Sequence, residues 1–552
     1  MNKNKHLLLW SSLGVLALLV AAAVQENYCK EWQQIQRATA GDGGPIEIHL
    51  RQTVVPQLKV ADRCVSCHVG MAAGEQGLSG GPMAQPHPPV GHDPAAFGCT
   101  VCHGGQGLAT EKADAHGDVP FWPEPMIPRQ FAAAGCGTCH VYVNVPDRVE
   151  MARAQTIVER YDCLACHRID GRGGTIRPGG AGGMEGPDLS RVGAAGYDRD
   201  WYEKHIEHRD AAADGPWQSA FGRIDERDRE TIAAFLATRT GVPQLIAAKA
   251  TFHSLGCRGC HKIEGVGGEE GPDLTRVGQK DPGQIDFAHV PGEETLANWL
   301  SAHTRDPARV VPGSKMPAFT LSDSEVEQLT FYMLAHRRSP VPDAYWPKDR
   351  IQVQRFKHRE FATDGATLFS TFCAGCHGQG GEGRRFADSV PFSAVGNADF
   401  QAVATDQFLQ ATITGGRPGR RMPAWGESGG GLRPEEIQKI VGHLRQLGGV
   451  KEPRKPDQRR RWVAGDAAAG KRLFATNCAG CHGSQGEGLD APALNNQALL
   501  TSADDTYLLE TIGRGRRGTP MRSFREGSPV NPALSAAEIE SLVAYLRTWE
   551  GK

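Results

Sequence analysis

One five-residue pattern, C-x-x-C-H, occurs seven times in the 552 residues, and it limits what the chain can fold into more than any other feature. The copies begin at Cys64, Cys99, Cys136, Cys163, Cys257, Cys373 and Cys478. They end in His68, His103, His140, His167, His261, His377 and His482. Fourteen of the fifteen cysteines are used this way, leaving Cys29. Two thiols at this spacing can add to the two vinyl groups of a haem while the adjacent imidazole ligates its iron, so the pattern reads as c-type haem attachment. A lone C-x-x-C could be a redox pair or half a zinc site. Neither alternative explains a histidine after every second cysteine. Seven covalent c-type haems are therefore expected. The attaching residues are Cys64 with Cys67, Cys99 with Cys102, Cys136 with Cys139, Cys163 with Cys166, Cys257 with Cys260, Cys373 with Cys376, and Cys478 with Cys481. The seven motif histidines are the proximal iron ligands.

Composition fits this reading. A content of 39% hydrophobic residues with 68 Gly and 35 Pro is lean for several large protein cores. A covalently held macrocycle supplies the missing apolar element of a small, loop-rich domain. The formal charge of −2 excludes a strongly basic nucleic-acid binder.

Lys3 and Lys5 precede an apolar run from Leu7 to Val24. As a helix, 18 residues span about 27 Å, close to a bilayer core. A cleaved signal peptide is the alternative, with Ala21-Ala22-Ala23 as a small-residue cleavage site. We read the run as an uncleaved anchor covering 1–30, followed by a juxtamembrane segment, 31–56. The lysines put the N-terminus in the cytoplasm and the haem-bearing remainder on the periplasmic side of a bacterial inner membrane.

Residues 57–145 carry three motifs with gaps too short for three helical domains. A compact, loop-rich trihaem module is expected, with spare His87, His92 and His116 as distal iron ligands in bis-histidine sites. Several stretches are familiar: Asp62-Arg63-Cys64-Val65-Ser66-Cys67-His68, His92-Asp93-Pro94, Phe97-Gly98-Cys99 through Gly107, and Trp122-Pro123-Glu124-Pro125. They resemble the N-terminal part of membrane-anchored multihaem c-type cytochromes found beside bacterial quinol-oxidising cytochrome b or Rieske/cytochrome b complexes. The resemblance implies such a complex as a membrane partner.

From about 150 onward there is one motif per unit. Each motif is followed by a Gly/Pro-rich loop and an amphipathic helix, as with Ile437, Ile440, Val441 and Leu444, or Ile539, Leu542, Val543 and Leu546. Ser322 with Glu325 and Ser535 with Glu538 are capping boxes. This order of parts resembles class I cytochrome c domains, which implies small all-α folds over 151–245, 246–340, 358–450 and 464–552. Residues 341–357 are a linker, and 451–463 a basic linker expected to be solvated and self-repelling. The fold class is thus mainly α: a transmembrane helix, a trihaem module and four class I domains. Gly186-Pro187-Asp188-Leu189 matches Gly271-Pro272-Asp273-Leu274, and Cys373-Ala374-Gly375-Cys376-His377-Gly378 matches Cys478-Ala479-Gly480-Cys481-His482-Gly483. Two tandem pairs follow. The resemblance also implies that Pro187, Pro272 and Pro492 offer carbonyls to the attached histidines.

A thioether sixth ligand raises the potential of a His-ligated haem. Met316, Met422 and Met521 lie beside proline, each between its motif and its terminal helix, and are the expected distal ligands. The unit around His167 departs from this: Gln218 or Ser219 stands where Met316 does, and Met184 comes too early. His208, or His205, is the expected distal ligand there; without either, that iron is open.

Seven redox centres in one chain point to an electron-transfer protein and not to seven active sites. Electrons would pass from a quinol-oxidising membrane complex through bis-histidine haems and then His/Met haems to a soluble cytochrome or terminal acceptor. The rival reading is a haem enzyme, a peroxidase or small-oxyanion reductase, with an open iron at His167. No other catalytic constellation stands out, so the isolated chain reads as an electron-transfer subunit.

Overall fold

The computed structural model describes residues 2–41, 44–72, 77–88, 90, 93–120, 122–138, 149–161, 163–169, 172–173, 186–187, 189, 192, 201–204, 206, 224–237, 243–337, 364–384, 386, 391–527 and 533–551. Helix is the dominant element, and the only paired strands among these residues are three two-stranded hairpins.

The first helix, Asn2–Tyr28, is long and apolar enough to cross a membrane, and none of it is buried against the rest of the chain. Its exit is tied down. Lys30 lies 2.7 Å from both Glu26 and Glu111, joining the end of the helix to the trihaem module. Gln36 on the following helix, Glu31–Arg37, is fully buried; its amide donates to the carbonyls of His49 and Ser66 at 3.0 and 2.9 Å.

The trihaem module has little regular structure, as its short gaps predict. It is held by buried polar groups. Asp62, 1% exposed, accepts the Thr100 backbone N–H at 2.9 Å and the Thr100 hydroxyl at 2.8 Å, which fixes the first motif against the second. The 3₁₀ stretch Arg129–Thr138 then passes very close to other backbone. A Cβ on Gly135 would stand 1.8 Å from the Cys102 carbonyl oxygen, and one on Gly137 would stand 2.3 Å from that of Ala335. Only glycine permits both approaches.

The four following units differ in what they pack against. The first sets Val149–Arg160 against Glu226–Ala237, with Ala154, Ile157, Tyr202, Ile232 and Phe235 in a core that, among the described residues, is drawn from this unit alone. Tyr161 and Arg160 both reach Asp228, at 2.9 and 3.1 Å. The second unit packs Pro243–Ser254 against Asp323–Ala335, and its core also takes in Ile127, Phe131 and Ala134 of the trihaem module. On its other side it meets the third unit. His253 lies under Phe372 and Trp425, the Arg258 guanidinium sits 5.1 Å above the Phe372 ring, and Arg421 pairs with Glu325.

The third and fourth units share one core, in which Leu368, Phe408, Ile440 and Leu444 meet Phe474, Tyr507, Leu542 and Val543. Each such buried aromatic contributes about 1.5–3 kcal/mol by removal from water. The contacts are reciprocal. Phe408 and Tyr507 each stand three residues after a helix N-cap, Thr405 and Asp504, and their rings stack 4.5 Å apart. Asn397 donates to the Arg517 carbonyl at 2.8 Å, and Asn496 donates to the Pro418 carbonyl at 3.0 Å. Equivalent residues meeting equivalent partners are the mark of an isologous, two-fold arrangement.

Both capping boxes form. Ser322 and Ser535 accept the Glu325 and Glu538 N–H groups at 3.2 and 3.3 Å, while those carboxylates accept the serine N–H groups. The basic stretch 451–463 is largely exposed, as its charge predicts, but it is tied to the fourth unit at Arg454, Arg460 and Trp462. Arg454 reaches Asp504 at 2.5 Å and Asp457 at 3.1 Å, and Arg460 reaches Glu550 at 2.5 Å. The Trp462 N–H donates to Asp505 at 2.6 Å. The carboxylates Asp504, Asp505 and Glu550 lie 40 or more positions downstream, so a local charge run does not reveal them.

Candidate functional site

In each described attachment motif the chain makes one tight turn. The backbone N–H of His68, His103, His167, His261, His377 and His482 donates to the carbonyl of the first cysteine of its motif, at 2.9 to 3.0 Å. This turn puts both cysteines and the histidine on one side of a short helical segment. The ring orientation is fixed from behind. His167, His261 and His482 set Nδ1 against the carbonyls of Pro187, Pro272 and Pro492 at 2.9, 2.9 and 2.8 Å, as the Gly-Pro loops predict. In the third unit, Ser393 takes that place, with its carbonyl 2.7 Å from His377 Nδ1. No Gly-Pro marks this loop, and no other residue pattern points to it. In all four cases Nδ1 is engaged and Nε2 is left to ligate a metal.

Electrostatics favour the same chemistry. Burial pushes the thiols of Cys257, Cys373, Cys376 and Cys478 up to about 12. A redox C-x-x-C works through a lowered thiol pKa, so these pairs are unlike thiol–disulfide centres. Burial also lowers the ring pKa of His68, His103, His377 and His482, which keeps the neutral, ligating imidazole.

Met316, Met422 and Met521 all lie half-buried in loops that precede the terminal helices of their units. The second and third of these loops are built alike: the Arg417 N–H donates to the Met422 carbonyl and the Arg516 N–H to the Met521 carbonyl, both at 2.7 Å. In the trihaem module His68, His87, His103 and His116 are described. His92, Cys139 and His140 lie outside the described residues, as do Met184, His205, His208, Gln218 and Ser219.

The family model for Cytochrome c matches residues 151–240, 246–337 and 467–550, and that for Cytochrome C oxidase, cbb3-type, subunit III matches 360–444. The chain is a multihaem c-type cytochrome. Covalently bound haem c is the cofactor of its cytochrome c domains. Among its relatives is a Cbb3-type cytochrome c oxidase subunit FixP of Bradyrhizobium diazoefficiens, 34% identical over 28% of this chain and 51% of the relative. Another is a Cbb3-type cytochrome c oxidase subunit CcoP of Azospirillum sp. (strain B510), 31% identical over 34% of this chain and 62% of the relative. The cytochrome thus spans about half to three-fifths of the length of these relatives. A solved Kuenenia stuttgartiensis reducing HAO-like protein complex aligns over 35% of the cytochrome and 97% of its own chain at 21% identity, with a TM-score of 0.24; so distant a likeness carries no argument.

The residues of the cytochrome fit the haem in a further way that the sequence did not suggest. Arg417 and Arg516 stand five positions before their loop methionines, and in each the Nη1 atom is buried with no protein partner. The other guanidinium nitrogen is held, by Thr412 at 3.1 Å and by Thr511 at 3.2 Å. In the second unit His303 is stacked on Trp299 at 4.8 Å with its Nδ1 likewise unpartnered. A buried donor with no acceptor costs about 1–3 kcal/mol, and the haem propionates are acceptors able to remove that cost. A signal for these residues was present. Arg417 and Arg516 precede Met422 and Met521 at equal spacing, and Trp-x-x-x-His occurs at Trp201/His205 and again at Trp299/His303.

Proposed function

We propose that this cytochrome carries seven haems and relays electrons as a membrane-anchored subunit. They would pass from a quinol-oxidising cytochrome b or Rieske-type complex to a soluble cytochrome or terminal oxidoreductase. The observation that carries the reading is a continuous line of packed units. The trihaem module packs on the second unit, the second on the third, and the third shares a core with the fourth. Such a line suits conduction between distant partners. The match of residues 360–444 to the model of Cytochrome C oxidase, cbb3-type, subunit III supports delivery toward a terminal acceptor from that region. The N-terminal helix supports an anchor, and Lys3 and Lys5 before it favour haem units on the periplasmic side.

In this reading Met316, Met422 and Met521 close the second, third and fourth irons, and spare histidines close those of the trihaem module. The first unit's distal ligand is His208, or His205. The bound haem supplies the one-electron chemistry. The chain's own residues orient the ligands, exclude water and hold the units in contact.

The test is a redox titration of the membrane-purified protein with haems counted by mass. Seven haems in a low-potential and a high-potential group are expected. Met316→His, Met422→His and Met521→His should each move one haem from the high to the low group, because imidazole is a more basic ligand than a thioether. Five or fewer haems, or three variants without effect on the titration, would defeat the proposal.

A further inference from the structure

The spare histidines of the trihaem module are not equivalent. His87 faces His103, with ring centroids 6.1 Å apart and planes at 63°. Two imidazoles that ligate one iron from opposite sides each place a nitrogen about 2 Å from the metal, which sets their ring centroids about 6 Å apart. Rotation about the metal–nitrogen axis leaves the angle between the planes free. His87 is also held in the orientation a ligand needs. Its Nδ1 lies 2.7 Å from the Pro88 carbonyl, which fixes Nδ1 as the protonated nitrogen and leaves Nε2 unprotonated. Asp93 caps the turn Pro94–Ala96, and Gly98 turns the backbone with φ +81° into the motif that ends at His103.

We infer that His87 and His103 are the two axial ligands of the haem attached at Cys99 and Cys102. This rests on haem attachment at that motif and assigns the partner of its iron. A bare ring contact between two imidazoles would give no reason for a separation matched to an intervening metal.

The experiment uses the full-length cytochrome, with haems counted by mass and spin states read by electron paramagnetic resonance. His87→Ala should keep every haem and convert one low-spin ferric centre to high spin. Placed in a Cys99→Ser/Cys102→Ser background, which lacks that haem, the same substitution should convert none. Conversion in both backgrounds would show that His87 serves another iron, and conversion in neither would show that it serves none; either result overturns the pairing. A Cys99→Ser/Cys102→Ser protein with an undiminished haem count would overturn attachment at this motif, and the pairing with it. His87→Met provides a check that does not depend on the double variant folding. It should leave the centre low-spin, raise the potential of one haem of the low group and add a thioether–iron charge-transfer band. An unchanged titration and spectrum would overturn the assignment.

Discussion

The third and fourth units and the first and second units are both tandem pairs by sequence, yet they are put together differently. The third and fourth share a core around the Phe408–Tyr507 stack and exchange side-chain to carbonyl bonds in both directions. The first and second, alike in their Gly-Pro-Asp-Leu loops, share no core among the described residues. The second turns instead to the trihaem module on one side and the third unit on the other. Repeat kinship therefore shows which units fold alike but not which units touch. Contact is decided by a few residues outside the shared pattern: Ile127 and Phe131 toward the second unit, Phe372 and Trp425 toward His253. Among the described residues the trihaem module packs directly on the second unit, which carries the His261 motif.

The largest effect should come from removing a haem on either side of this comparison. Cys478→Ser with Cys481→Ser deletes one haem from the shared core. The third unit should then melt earlier although its own haem stays, with a loss comparable to truncating a large buried aromatic, about 3–5 kcal/mol. Cys163→Ser with Cys166→Ser should delete one haem and leave the other units' melting unchanged, since the first unit's core is its own. Thermal melts followed in the haem absorbance, with mass confirming one haem lost, make the comparison. A third unit indifferent to its neighbour's haem would break it.

Much of this was legible in the chain. Haem attachment followed from seven repeats of one pattern, and the terminal helices from their 3.6 periodicity and the Ser322 and Ser535 caps. These are local features, set by residues within a few positions of one another. The proline carbonyls behind His167, His261 and His482 were legible because Gly-Pro marks the loop; Ser393 was not, because only its backbone acts. The strapping of 451–463 was missed for the converse reason, since Asp504, Asp505 and Glu550 are remote in sequence. Interfaces are the hardest case. Arg258 reads as a variable residue between two cysteines, yet it is 3% exposed, donates to the Ile263 and Val266 carbonyls at 3.2 and 2.9 Å, and carries the contact with Phe372.

A smaller perturbation should sharpen the other half of the comparison, the contact between trihaem module and second unit. Gly137→Ala puts a methyl group 2.3 Å from the Ala335 carbonyl oxygen and 2.4 Å from its Cβ. Overpacking of this kind costs about 1–3 kcal/mol. Gly137 lies inside the Cys136 attachment motif but is neither of its cysteines nor its histidine, so the haem count is expected to hold while the interface loosens. What should change is the rate at which reduced N-terminal haems reduce the C-terminal ones, followed by stopped-flow absorbance. An unchanged rate would mean that electrons take another way into the second unit.

The smallest effect lies where the two-fold pairing of the third and fourth units is broken. Arg517 grips Asp399 across the interface, with Nη2 at 2.9 Å, Nε at 3.1 Å from both carboxylate oxygens, and its backbone N–H at 2.8 Å. The equivalent positions on the other side are Pro418 and Ala498, which form no such pair. The Arg517 hydrogen bonds hold the Asp399 carboxyl below the usual carboxylate range. A carboxyl whose pKa is lower in the folded state binds fewer protons there than in the unfolded state. It therefore adds stability that is complete above the unfolded value, about 3.9, and is lost as pH falls through the folded one. The arginine side chain is 82% exposed, so solvent screening keeps the contribution of the pair small. Asp399→Asn is expected to destabilise the joint core by that small amount at pH 7. The difference from wild type should shrink below pH 4 and in high salt, where wild type loses the same interaction. Denaturant melts at pH 7 and pH 3, at low and high ionic strength, would measure it. A difference that persists at pH 3 would assign the contribution to hydrogen bonds the asparagine cannot replace, and not to charge.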